Sequence, residues 1–149
     1  MKKIVVDTNI IFSCLLNTEG KIGDLLFNSN EVFDFFSNDY MRFEIHKHWS
    51  KLKKISKLSD SDLETAYEKL LSKLTFINEE IIPEKVWLKA EEIVNDFDID
   101  DLDFVALTKY INGALWTGDK ILYQGLKEKR FRSVYSTDDL IKLRSKLAI

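Results

Sequence analysis

The chain predicts an α/β fold with a mainly parallel central sheet. Short β-branched or aromatic runs alternate with helical patterns along most of its length. The first such run, Lys3 to Val6, is apolar on both faces, as a strand inside a parallel sheet is. Five Gly and one Pro among 149 residues leave little room for long loops.

The first strand ends at Asp7. From Asn9 the period becomes helical, with Ile10, Ile11, Cys14 and Leu15 on one face, and a short helix around Ile22 to Phe27 follows Gly20. Asn28, Ser29 and Asn30 mark a turn. Val32 to Phe36 reads as the second strand, and Ser37, Asn38 and Asp39 supply capping chemistry for one long helix running to about Ile55. Ser59 and Asp60 start a helix with the stripe Leu63, Tyr67, Leu70, Leu71 and Leu74, and Phe76-Ile77 reads as a third strand.

Pro83 suits the first turn of a helix carrying Val86, Ala90, Ile93, Val94 and Phe97. The next helix opens near Asp100 and is apolar on nearly every side through Val105, Ala106, Leu107 and Ile111, so it is expected to be buried, with Gly113 ending it. Ala114 to Trp116 is a short strand, Asp119 opens a helix, and Val134-Tyr135 followed by Ser136, Thr137 and Asp138 gives a last strand and helix. Residues 1–149 are read as one domain, since the chain is too short for two of ordinary size.

The single cysteine, Cys14, excludes an internal disulfide framework and agrees with a cytoplasmic location, though its place on an apolar stripe makes it a core residue first. Asp7 and Asn9 interrupt the opening apolar run before it could form a secretory core, and no stretch is long and apolar enough to span a membrane. A net charge of −3 excludes nucleic-acid binding by bulk positive charge. The charges are segregated instead. Glu91 to Asp103 holds seven acids and no base, whereas His46 to Lys57 holds five Lys and two His and no acid. A smaller basic run follows at Lys127, Lys129, Arg130 and Arg132, and reads as a solvated helix end.

In open parallel sheets the functional crevice lies beyond the carboxyl ends of the strands. Asp7 ends the first strand and Asp119 follows the Ala114 to Trp116 strand closely, so the two are expected at one sheet edge. Asp101, in the first turn of its helix, and Glu44, on the helix after the second strand, can reach the same crevice. Four such acids oppose joint ionisation unless a hard cation joins them. Mg²⁺ or Mn²⁺ prefers carboxylate oxygens and water, and two such ions about 4 Å apart can clamp a phosphodiester.

Glu44, Lys47, His48 and Lys51 fall at i, i+3, i+4 and i+7, so one helical face would carry a basic strip leading away from the acids, suited to substrate phosphates. Taken singly, each acid has an ordinary reading. Asp7 suits a turn, Asp101 and Asp119 suit helix N-termini, and Glu44 suits a surface ion pair. Asp7 resists its ordinary reading best, because an acid directly after Ile-Val-Val is expensive to bury without a partner. Within the acid run Asp101 is singled out, with Asp98, Asp100 and Asp103 held in reserve. His46 and His48 lack the company a zinc site needs, and Trp49, Trp87 and Trp116 lie in apolar patterns that favour core or edge positions.

With these residues in place, the sequence resembles the PIN-domain proteins and is similar to the VapC-like toxins and PilT N-terminal-type nucleases. The resemblance rests on Ile4-Val-Val-Asp7-Thr-Asn-Ile10, on Asp101-Leu-Asp-Phe-Val-Ala-Leu107 and on Leu115-Trp-Thr-Gly-Asp119-Lys120, with 18 residues from Asp101 to Asp119. Glu44 lies where the family's helical acid is expected. Asp103 departs from the pattern, standing where relatives often have an apolar residue or Pro, and Lys51 to Leu74 makes the chain slightly long.

The resemblance implies a three-layer α/β/α sandwich, Mg²⁺ or Mn²⁺ held by Asp7, Glu44, Asp101 and Asp119, and hydrolysis of RNA. It implies supporting roles for Thr8, Asn9 and Thr117; Asp103 is expected to support the site as the reserve to Asp101, and Lys47, His48 and Lys51 of the basic strip, with Lys120, are the expected substrate contacts. The resemblance also implies a homodimer and, for a toxin, an antitoxin protein as partner. Two other classes compete. A non-catalytic module that binds RNA or protein would be marked by loss of an acid, and none is lost. An α/β phosphatase of the haloacid-dehalogenase type wants a second Asp where Asn9 stands.

Overall fold

The structure, a computed structural model, describes residues 1–95 and 101–147. The chain runs β1 (Lys2–Val6), α1 (Thr8–Leu16), α2 (Lys21–Asn28), β2 (Phe33–Asn38), α3 (Tyr40–Lys47), α4 (Trp49–Ser56), α5 (Asp60–Leu71) and β3 (Leu74–Ile77). A 3₁₀ turn at Glu79–Ile81 leads to α6 (Glu84–Val94), then α7 (Leu102–Ile111), β4 (Ala114–Trp116), α8 (Lys120–Glu128), β5 (Val134–Tyr135) and α9 (Thr137–Leu147). Phe97, Asp98 and Asp100, which the sequence reading used, lie outside the described residues.

Among the described residues all four strand pairings are parallel, in the order β3-β2-β1-β4-β5. The chain builds outward from β1 through β2 to β3, then crosses to the other side for β4 and β5. The order therefore reverses between β1 and β4, and a crevice opens at the carboxyl ends of strands at such a switch point. In register, Val6 stands beside Trp116, so Asp7 and Thr117 are the next residues at that edge.

Alternation along the strands fills two cores. Ile4, Val6, Phe33, Phe35, Ala114 and Trp116 face one side, with Ile10, Ile11 and Leu15 of α1, Leu25 and Leu26 of α2, Leu63 and Leu70 of α5 and Leu140 of α9. Val5, Leu115 and Val134 face the other, with Ala90 and Val94 of α6, Val105 and Leu107 of α7, and Leu122 and Leu126 of α8. Helices thus cover both faces, the three-layer α/β/α arrangement expected above, and β1 is buried through Ile4, Val5 and Val6. Cys14 is fully buried, which pushes its thiol up to about 12 and makes it a packing residue. Among the described residues no helix is long and apolar enough to cross a membrane.

Several expected boundaries shift. The long helix to Ile55 is two helices, broken at His48, whose φ of −107° and ψ of 18° are not helical. Neither Pro nor Gly stands there. The break goes with an edge contact between the His48 ring and Phe12 of α1, at 5.7 Å between centroids, a tertiary contact that periodicity does not reveal.

Strand β2 runs on through Ser37 and Asn38, both buried, so only part of the expected capping trio caps. The Asn38 side-chain oxygen accepts from the Met41 N–H at 2.9 Å, and Asp39 makes no side-chain cap. Leu74 belongs to β3 and not to the α5 stripe. At the end of α7 it is Asn112 that turns left-handed, with φ of 55°. Gly113 serves a different end: a Cβ there would come within 2.8 Å of the Lys3 carbonyl oxygen, so its lack of a side chain lets the chain enter β4 against β1.

Candidate active site

Asp7 ends β1 and caps α1, and it is only 5% exposed. Its backbone N–H donates to the Trp116 carbonyl at 3.1 Å, which fastens the strand end to β4. Its Oδ1 accepts from the Asn9 N–H at 3.3 Å, and its Oδ2 accepts from the Thr117 hydroxyl at 2.8 Å. Thr117 Oγ1 in turn accepts from the Asp119 N–H at 3.1 Å. One buried hydroxyl therefore links the two acids that sequence order placed at the same edge. Burial drives the Asp7 carboxyl upward; the bonds from Thr117 and Asn9 oppose this, the Asp119 charge adds to it, and the net direction is up.

Asp119 caps α8 with Oδ1, which accepts from the N–H groups of Ile121 at 2.9 Å and Leu122 at 3.2 Å. The ordinary capping role and a place at the crevice are thus compatible. Glu44, half-buried on α3, accepts from the Thr8 hydroxyl at 3.3 Å. Asp101 stands at the N-cap position of α7 and Asp103 in its first turn. These acids meet around a cleft of about 720 Å³, lined by Asp7, Thr8, Asn9, Asn38, Tyr40, Glu44, Lys47, His48, Asp101, Asp103 and Asp119.

The basic residues divide. Lys47 and His48 line the cleft. Lys51, beyond the break, lines a neighbouring groove with Asn9, Phe12 and Leu52, joined to the cleft through His48. Lys120 lines a second groove, between the ends of β4 and β5, with Tyr123 and Gln124, which adjoins the cleft through Asp119. The straight strip expected from i, i+3, i+4, i+7 spacing is therefore bent, and Lys51 and Lys120 do not line the acid cleft itself.

Glu79 is an acid that the sequence reading passed over. It sits on the 3₁₀ turn just beyond β3, half-buried. Burial first, then the charge of Asp103 and a hydrogen bond to it, then the charges of Asp39 and Glu44, push its carboxyl up to about 7. In its protonated form Glu79 donates to Asp103. The rule that drew attention to Asp7, an acid just past a strand's carboxyl end, extends to Glu79, two residues beyond Ile77 of β3.

This predicts a pH dependence. An unfolded Glu79 titrates near 4.5 and the folded one near 7, so between these the folded state holds the extra proton. In chelator, stability is fully present below about pH 4.5 and falls as pH rises to about 7, with Asp7 acting in the same direction. The unscreened shift corresponds to about 3 kcal/mol, which solvent reduces to roughly 1 kcal/mol at a half-exposed group. Urea unfolding near pH 5 and near pH 8 measures it. Glu79→Gln should flatten the difference, and an unchanged slope would remove Glu79 as its source.

The donor set suits a hard divalent cation: carboxylate oxygens, with Asp7 and Glu79 each carrying a charge that burial and other nearby acids disfavour. Among the described residues no three or more His, Cys, Asp or Glu side chains close into a ready cage. That is no obstacle for Mg²⁺, which keeps several waters and takes one or two carboxylates in place of an all-protein shell.

No curated protein matches the chain. Solved structures share the fold. The VapBC2 complex of Rickettsia felis, bound to a DNA fragment from its promoter, aligns over 90% of this chain and 98% of its own, at 17% identity and a TM-score of 0.61. PAE2754 of Pyrobaculum aerophilum aligns over 99% of this chain and 90% of its own, at 13% identity and a TM-score of 0.64. The family model described as PIN domain matches residues 5–138, from inside β1 to the start of α9. That span takes in Asp7, Glu44, Asp101 and Asp119 together, and the chain belongs to the PIN domain family.

Proposed function

We propose that the protein is an endoribonuclease dependent on Mg²⁺ or Mn²⁺, acting as a single domain in the cytoplasm, and the toxin of a toxin–antitoxin pair. The observation that carries this reading is the buried link from Asp7 through Thr117 to Asp119 at the sheet's switch point, faced by acids from α3 and α7. Likeness to the Rickettsia felis VapBC2 complex supports the toxin assignment and an antitoxin partner, and a homodimer is proposed on the family resemblance alone.

Asp7, Glu44, Asp101 and Asp119 would hold the cation. When bound, it supplies charge neutralisation and an activated water for attack on a phosphodiester. Thr117 holds Asp7 through its hydroxyl and the Asp119 backbone through its oxygen, so both acids keep their positions without a shared proton. Thr8 steadies Glu44 in the same way, and Asn9 donates its backbone N–H to Asp7. Lys47 and His48 reach the substrate's phosphates from the cleft wall, which lets a protein of net charge −3 receive a polyanion. Lys51 and Lys120 contact the strand outside the cleft. Glu79, bonded to Asp103, positions that acid at the mouth of α7.

Labelled RNA incubated with purified protein and Mn²⁺ should be cut internally, and excess chelator should stop the cutting. Intact RNA in Mn²⁺, or equal cutting in chelator, would sink the assignment.

A further inference from the structure

Tyr40 and Phe43 stand in the first turn of α3, with ring centroids 5.4 Å apart and planes at 30°. The same helix turns Met41 and Ile45 into the core, so its inner face is already filled. The two rings stay outside, 52% and 60% exposed. Tyr40 also lines the carboxylate cleft, with Glu44 one turn further along α3 and Lys47 and His48 beyond it.

A paired aromatic surface offers a flat apolar face, and here it adjoins the carboxylates and two basic groups. The ligand that matches all three is a nucleotide: its phosphate is drawn to Lys47 and His48, and its base has a π-face to lay on a ring. The patch is too small to be a subunit interface by itself. Two aromatic side chains at this exposure present roughly 200 Å², against the roughly 800 Å² per partner of a stable complex.

We propose that Tyr40 and Phe43 form a stacking platform for an unpaired nucleobase beside the phosphodiester held in the cleft. The substrate is then single-stranded at that position, because a base inside a duplex has both faces covered. The inference rests on the nuclease reading of the cleft and adds which side chains of α3 receive a base.

Binding without turnover tests it. Fluorescence anisotropy is read with the Asp7→Asn protein and a labelled single-stranded RNA, the same RNA as a duplex, and versions with one abasic position moved along the strand. The single strand should bind more tightly than the duplex, and one abasic position should weaken binding by about 5- to 100-fold. Tyr40→Ala combined with Phe43→Ala, in the same background, should weaken the intact strand similarly and lose no more on the abasic one. Tyr40→Phe should bind as its parent does.

Equal binding of duplex and single strand, or equal weakening at every position, would overturn the platform. So would sedimentation showing that the double alanine variant turns a dimer into a monomer while the abasic dependence stays intact. Cutting is scored separately, with wild-type protein in Mn²⁺. Cutting without the coupling removes the platform and leaves the nuclease, whereas coupling without cutting removes the nuclease and leaves a base-binding surface.

Discussion

Replacing Asp7 by asparagine is expected to lower RNA cleavage by roughly a thousandfold and, in the same protein held in chelator, to raise its resistance to urea. The first effect follows from the proposed role. A carboxylate that holds a cation contributes several kcal/mol to the transition state, and about 4 kcal/mol is a factor of a thousand. The second follows from the surroundings of Asp7. The group is 5% exposed, its charge is opposed first by burial and further by Asp119, and its bonds from Thr117 and Asn9 do not fully compensate.

Asparagine keeps the shape. Its oxygen can accept from the Asn9 N–H, and its NH₂ can donate to Thr117 Oγ1, which has a second lone pair for the Asp119 N–H it already accepts. The Thr117 hydroxyl proton loses Asp7 Oδ2 as its acceptor, which offsets part of the benefit, but the buried charge is gone, for a net gain below about 1 kcal/mol. Activity and urea midpoint together separate the possibilities. Unchanged cutting would place the chemistry elsewhere. Loss of stability would mean that the carboxylate's hydrogen bonds outweigh its desolvation.

The sheet and its switch point are legible in the sequence because parallel strands buried on both faces leave a strong mark, as Ile4-Val-Val6 and Ala114-Leu-Trp116 do. Once those strands pair, the residues following them must share an edge, and that is how Asp7 and Asp119 come near each other. Features set by contacts between distant elements escape. The helix break at His48 coincides with a ring contact to Phe12, some 36 positions earlier, and carries no Gly or Pro to announce it. That break carries Lys51 into a neighbouring groove, although its spacing from Glu44 suits a shared face.

Lys120 is adjacent to Asp119 in sequence but lines a second groove, which shares Asp119 with the acid cleft. Glu79 was hidden differently. It lies in a short 3₁₀ turn with no periodicity, and only the strand-end rule reaches it. The end of α7 shows how two neighbours divide one signal: Gly113 marks the boundary, yet the left-handed turn belongs to Asn112 and the glycine serves the approach to β1.

Trp116→Ala is expected to destabilise the protein by about 3 to 5 kcal/mol, the range for emptying an aromatic site in a close-packed core. Trp116 is fully buried, its ring lies 5.9 Å from that of Phe35, and its Nε1–H donates to the Thr137 hydroxyl at 3.1 Å, tying β4 to the start of α9. Strand β4 is three residues long, so few other side chains can hold it. Against a typical stability of about 5 to 15 kcal/mol this loss is severe, and it should appear as a lower urea midpoint with an unchanged slope. Trp116→Phe keeps much of the ring and loses the indole bond, so it should fall between wild type and alanine.

The position also ties core to site. The Trp116 carbonyl accepts the Asp7 N–H, and the next residue is Thr117, whose hydroxyl holds Asp7. Cleavage by the folded fraction of Trp116→Ala should therefore fall as well, since the end of β4 sets where both acids stand. If the midpoint drops while the folded fraction cuts at the wild-type rate, β4 is held in place by its ladder alone and the indole serves only stability.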